Sequence, residues 1–266
     1  MESFFFANQE LYGRLHKPPA NHTVRGAVLM CNPVFMEANN IQWGYRRLAN
    51  CLSDAGYAVL RFDYFGCGNS WGEDDEGGVE RWQKDINIAA TKLTELTGLA
   101  NIDVIGFRFG CTLASGLTSV PVNKFVLWEP TIDSADYVRY IDAKYDHTIS
   151  ELNKFIKQPA AAQKDETTGF AFTAQMRESI LASDLSDNSG KAPLPQTCSS
   201  IHLITSASVE RFRTLIDAFT SSAQAPQVEE VHDQVPLIEE LDDLSAWLPG
   251  KSLYKVVDTI TGDSDA

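Results

Sequence analysis

Ile102-Asp-Val-Ile-Gly106-Phe-Arg108-Phe-Gly110-Cys-Thr-Leu-Ala114-Ser-Gly116 is the stretch on which the fold of this 266-residue chain turns. Its first five residues read as a buried strand. Gly106 and Gly110 frame a tight turn, and the small residues after it suit a helix lying close to a sheet. Upstream, a helical pattern from Val79 to Thr97 stops at Gly98. Before that stand a strand from Tyr57 to Tyr64, a helix from Trp43 to Ala55 stopped by Gly56, and the continuous apolar run Gly26 to Cys31. A run apolar at every position suits a strand covered on both faces. Two short β segments, Ser3 to Ala7 and Leu11 to Leu15, open the chain as an antiparallel hairpin. Downstream, Phe125 to Trp128 is a strand ending at Glu129-Pro130. Strands alternating with helices predict an α/β fold with a mostly parallel, doubly wound sheet.

The alternation breaks between residues 132 and 196. Helical patterns run from Tyr137 to Ile156 and from Phe172 to Leu185, around an Ala/Gln/Lys-rich linker from Pro159 to Thr168. This is the expected helical cap, inserted into a core made of residues 1–131 and 197–250. Alternation resumes with a strand at Ile201 to Ile204, a helix from Glu210 to Phe219, a strand from Val228 to Val231 and a last helix from Pro236 to Trp247. Residues 251–266 are expected to form a frayed tail.

Composition narrows the function classes. With 36 acidic and 22 basic residues the formal net charge is -14, and no Lys/Arg cluster offers a track for phosphates, so a nucleic-acid partner is not expected. No apolar run is long enough for a membrane span, and Phe4 to Ala7 is too short for a signal-peptide core, so a cytoplasmic location without membrane association is expected. The five cysteines are scattered and form no C-x-x-C pair, which suggests reduced thiols rather than disulfides or zinc. No metal-ligand cluster or phosphate loop implies a cofactor.

A strand, Gly-x-x-x-Gly and a helix together match the nucleophile elbow, in which a strained turn lifts one side chain above the sheet. Taken alone, Gly-Phe-Arg-Phe-Gly could equally be a plain strand-to-helix turn. Asp63-Tyr-Phe-Gly66-Cys-Gly68-Asn-Ser70, after the Tyr57 strand, makes the match more specific. With it, the chain resembles the α/β hydrolases over roughly Val24 to Leu248. The resemblance is closest to hydrolase-like proteins found beside exosortase systems and in biosynthetic gene clusters. It rests on Asn32-Pro33 followed by Glu37, on Gly-Phe-Arg-Phe-Gly-Cys-Thr-Leu-Ala and on Leu127-Trp-Glu-Pro130. The resemblance implies an α/β-hydrolase fold with an inserted helical cap, and an arginine where a serine hydrolase carries serine. A guanidinium stays protonated and cannot attack an acyl carbon, so Arg108 excludes ordinary serine-hydrolase chemistry at this position.

The same resemblance places the remaining machinery. His232 follows the last short strand, where the catalytic histidine belongs, although a loop histidine is as readily a surface residue. The triad acid falls at Glu210, with Glu129 as substitute; Glu210 could also be a solvated first-turn acid favoured by the helix dipole. Oxyanion donors map to the backbone N–H of Phe109 and of about Val34. Asn32-Pro33 replaces the usual His-Gly start of that second loop, and Pro33 has no N–H. Gly68-Asn-Ser70-Trp-Gly72 also reads Gly-x-Ser-x-Gly, but no helix follows it, and Ser70 fits a structural turn better than a nucleophile. Cys111 is assigned to the buried face of the elbow helix. Phe170, Phe172, Tyr137 and Tyr140 either shape an apolar lid or serve structure.

Arg108 at a helix start suggests an anion site. Two function classes follow. One is an enzyme that binds a small anionic or carrier-linked acyl substrate, with Arg108 orienting or stabilising negative charge and His232 as base. Its chemistry would be acyl transfer, elimination or cyclisation. The other is a non-catalytic pseudo-hydrolase that binds a ligand or serves as a scaffold. A biosynthetic carrier protein and a homodimer both stay open as partners.

Overall fold

The computed structural model describes residues 1–20, 22–154, 165–185, 194–195, 197–221, 224–232 and 250–262. Eight strands form one sheet: β1 (Glu2–Phe6), β2 (Leu11–His16), β3 (Gly26–Cys31), β4 (Tyr57–Asp63), β5 (Ile102–Phe107), β6 (Val122–Trp128), β9 (Cys198–Thr205) and β10 (Gln227–Glu230). Their order is β1-β2-β4-β3-β5-β6-β9-β10. The β1–β2 and β2–β4 pairs are antiparallel and every other pair is parallel. This is the α/β-hydrolase fold expected from the sequence.

The continuous apolar strands serve two cores. On β3, Ala27, Leu29 and Cys31 join one buried cluster, while Val28 and Met30 join the other. The first cluster holds α2 (Val79–Thr97), α3 (Phe109–Ser115) and α6 (Arg213–Ser221). The second holds α1 (Phe35–Asp54) and α7 (Lys251–Thr261). Helix α2 ends where the sequence predicts, with Gly98 at φ 73° closing its last turn.

Three expectations need revision. Helix α1 begins at Phe35, eight residues before the expected start at Trp43, so the stretch after Asn32-Pro33 is helix and not an extended loop. The tail expected to fray from residue 251 is instead helical to Thr261, because Leu253, Val256 and Ile260 share one face and bury it against the α1 side of the sheet. The helix expected at Glu210 begins as a 3-10 turn over Val209–Phe212. The helix expected from Pro236 to Trp247 lies outside the described residues. Among those described, no helix is long and apolar enough to cross a membrane.

Between β6 and β9 run α4 (Ser134–Asn153), a small hairpin of β7 (Glu166–Thr167) and β8 (Phe170–Ala171), and α5 (Ala174–Leu181). Arg177 holds α5 to α4 through two hydrogen bonds to Asp142, at 2.8 and 2.9 Å, and lies 4.2 Å from the Phe172 ring.

Candidate active site

The elbow is built by backbone crowding. A Cβ on Gly106 would stand 2.7 Å from the Cys111 Cα, and one on Gly110 would stand 2.5 Å from the carbonyl oxygens of both Cys31 and Asn32. Only glycine fits either place, and the Gly110 contact locks the end of β3 against the start of α3. Between them Arg108 adopts φ 52° and ψ -126°, a strained conformation for a residue with a side chain. Its N–H donates to the Trp128 carbonyl, and its own carbonyl accepts from the Cys111 N–H. Phe35 (φ 55°) and Glu129 (φ 48°) are strained in the same way just past the ends of β3 and β6. Three such residues therefore gather at one edge of the sheet, where strain is commonly kept for function.

The Arg108 charge already has a partner. Its Nε donates to Oε1 of Glu37 at 2.9 Å, and the two side chains are 8% and 14% exposed. The Tyr137 hydroxyl donates to Oε2 of the same carboxylate at 2.9 Å. The Arg108 guanidinium lies 5.7 Å from the centre of the Tyr140 ring. Burial opposes the arginine's charge, but Glu37 and the neighbouring tyrosines outweigh it and hold its pKa above the ordinary value. Burial followed by the Glu37 charge pushes the Tyr137 hydroxyl well up, so it stays a neutral donor. The anion expected at Arg108 is thus supplied by the chain itself. Among the described residues, neither Nη of Arg108 has a hydrogen-bond acceptor.

Beside this pair lies a cavity of about 420 Å³, within the range of small-molecule sites. Val34, Phe35, Glu37 and Asn40 form one wall, and Tyr137, Tyr140 and other residues of α4 form the facing one. Phe109, the first residue of α3, stacks on Tyr137 at 5.0 Å. Its N–H is one of the first-turn donors that a helix leaves without an internal acceptor. Val34 is the N-cap of α1 and lines the cavity. The two positions expected to supply oxyanion donors therefore sit at helix starts near the cavity.

The other candidates are placed elsewhere. The His232 side chain is 83% exposed and stands 3.8 Å from Glu230. Glu210 is a surface residue, 73% exposed and paired with Arg213, which matches the solvated first-turn reading. Among the described residues, no bond joins His232, Glu210 and Arg108. Glu129 is buried, accepts from the Ser206 N–H and the Thr205 hydroxyl, and has its pKa raised by burial against those bonds. Asn32 is also buried; its side-chain amide donates to the Phe62 carbonyl, while its main-chain carbonyl accepts from the Tyr64 hydroxyl, and both bonds fasten β3 to β4.

Ser70 is structural: its hydroxyl donates to the Asp63 carbonyl and accepts from the Tyr12 N–H. Burial pushes the Cys111 thiol well up, leaving it unreactive. Phe172 is wholly buried against Phe35, whereas Tyr137 and Tyr140 reach the cavity. In the sequence Glu37 stands only as part of the motif that begins at Asn32-Pro33, with no local sign that it meets Arg108. Among the described residues, no His/Cys/Asp/Glu group could hold a metal ion.

No protein-family model matches the chain, and no curated protein matches it in sequence. Solved structures share its fold. α/β hydrolase domain-containing protein 10 from mouse is 17% identical over 98% of each chain, with TM-score 0.56. Est1E from Butyrivibrio proteoclasticus, solved with ferulic acid, is 11% identical over 95% of this chain and 93% of its own, with TM-score 0.58. The bottromycin epimerase BotH, solved with bottromycin A2, is 15% identical over 98% of each chain, with TM-score 0.52. These similarities show a fold shared by enzymes of several chemistries.

Proposed function

We propose that this chain is a non-classical α/β-hydrolase-fold enzyme that binds a small neutral acyl compound, free or carrier-linked, and polarises its carbonyl without forming an acyl-enzyme. The observation that carries this reading is the bond from Arg108 Nε to Glu37 at the elbow. With its charge cancelled by Glu37, Arg108 has no unmet demand for an external anion, so the anionic part of the substrate expectation gives way. What remains available is hydrogen bonding. The Arg108 Nη groups and the Phe109 N–H, just behind the lining residues Glu37 and Tyr137, are donors suited to the oxygen of an ester, thioester or amide that reaches the base of the cavity. The mostly apolar, aromatic walls suit an acyl chain or ring. An arginine at the elbow fits the hydrolase-like subgroup that the chain resembles.

His232 and Glu210 have no part in this reading, because both sit on the surface with partners of their own. That exposure favours a second reading, a pseudo-hydrolase that binds the same ligands and turns none over.

Butyryl to dodecanoyl thioesters of N-acetylcysteamine would be screened by thermal shift, beside the matching free acids, with product analysis of every hit. The expected result is that thioesters raise the unfolding temperature more than the acids do, and that Arg108→Lys weakens the effect. Stabilisation by the free acids alone would sink the proposal; stabilisation by thioesters with no product in any case would favour the pseudo-hydrolase.

A further inference from the structure

We infer that Glu37 is the proton-transfer group of this site, so that the chemistry is proton transfer next to a carbonyl and not hydrolysis. The inference rests on the acyl-binding reading above. Of the two ion-paired side chains at the elbow, Glu37 is the one that lines the cavity. Each of its oxygens is held by one donor, Arg108 Nε on Oε1 and the Tyr137 hydroxyl on Oε2. A carboxylate oxygen has two lone pairs, so each keeps one free for a proton. Fixed by two donors on separate elements, the carboxylate is already oriented before any ligand arrives. Arg108 is locked as a cation and Tyr137 as a neutral phenol, which leaves Glu37 as the member of the trio able to accept a proton.

The cavity's other carboxylate is less suited. Glu166 is exposed and accepts from the Tyr145 hydroxyl at 2.9 Å. Tyr145 is two helical turns beyond Tyr137, about 12 Å along α4.

The step balances without a co-reactant. Glu37 takes a proton from the carbon beside the carbonyl; the C–H electron pair moves to form an enolate, whose negative charge is offset by the Arg108 cation that Glu37, now neutral, no longer cancels. The proton then leaves Glu37 and returns to that carbon on either face, giving exchange or inversion there. Arg108 and Tyr137 act as positioning residues for the carboxylate, and Arg108 also stabilises the enolate.

The test is deuterium uptake. The same butyryl to dodecanoyl thioesters would be incubated with the protein in heavy water, and the C2 protons followed by NMR. Wild type is expected to wash deuterium into C2 without releasing free acid. Glu37→Gln, which can still accept from Arg108, is expected to lose exchange by about a hundredfold or more while the thioester still raises its unfolding temperature. Glu37→Asp, which keeps a carboxylate but withdraws it by one methylene, is expected to slow exchange while the protein still folds. Tyr137→Phe should reduce kcat with little effect on KM. Thioester binding by wild type without exchange, or exchange that survives in Glu37→Gln, overturns the role of Glu37 and leaves the acyl-binding reading standing. Failure of every thioester to bind removes that reading and this inference together.

Discussion

Arg108 and Glu37 are 71 positions apart in the chain and 2.9 Å apart at the elbow. Such a buried pair is expensive to break from one side, because the abandoned charge stays in a poor solvent. Arg108→Ala is therefore expected to lower stability by about 3–5 kcal/mol in urea unfolding. The double variant Arg108→Met with Glu37→Leu should recover most of that loss, since similar apolar volume replaces both charges. Equal losses in the single and double variants would show that the ion pair is not the source. At this scale the sequence displayed the arginine plainly, through the glycines that flank it. It did not display the arginine's partner, because nothing local to Glu37 distinguishes a buried ion-paired acid from a solvated one.

Elements were legible where their ends carry chemistry of their own. Helix α2 ends at Gly98 in the left-handed region, and the limits of β3 are those of an unbroken apolar run. Helix α1 starts eight residues before its sequence pattern indicates because its N-cap is Val34, which has no side-chain acceptor to announce a start. Helix α7 is not evident in the sequence, since its apolar spacing, Leu253, Val256 and Ile260, covers only three turns and needs α1 beneath it to be worth folding. Ile260 is fully buried. Ile260→Ala is expected to cost about 2–5 kcal/mol, measured as a drop in the urea midpoint; a loss of only a few tenths would mean that the segment is a frayed tail after all.

Across the whole molecule, two buried groups set opposing responses to pH. Burial raises Asp103 from 3.8 to about 6, against the pull of Lys124. A raised carboxyl pKa means its stabilising share is full below 3.8 and lost as pH rises through about 6. Burial, then the charge of Arg61, lowers His16 from 6.5 to about 4, so its share is full above 6.5 and lost as pH falls through about 4. The two offset each other in mildly acidic solution. Asp103→Asn keeps an acceptor for the Lys124 N–H but removes the opposing titration. Its thermal midpoint is expected to fall more steeply than that of wild type between pH 6 and pH 4. Parallel curves would refute the assignment. The sequence by itself determined the alternation of strand and helix, the sheet built from it and the glycine-framed turn, because each depends on residue patterns that act within a few positions. Only the tertiary structure decided what Arg108 touches. The strand order β4-β3-β5 sets the end of β3 beside the end of β5 although β4 lies between them in the chain. That adjacency brings Glu37 onto the arginine, and the packing of α4 above them adds Tyr137 and the cavity. His232 and Glu210 lie on the surface, since a residue's place after a strand says which edge of the sheet it occupies and not which neighbours it meets.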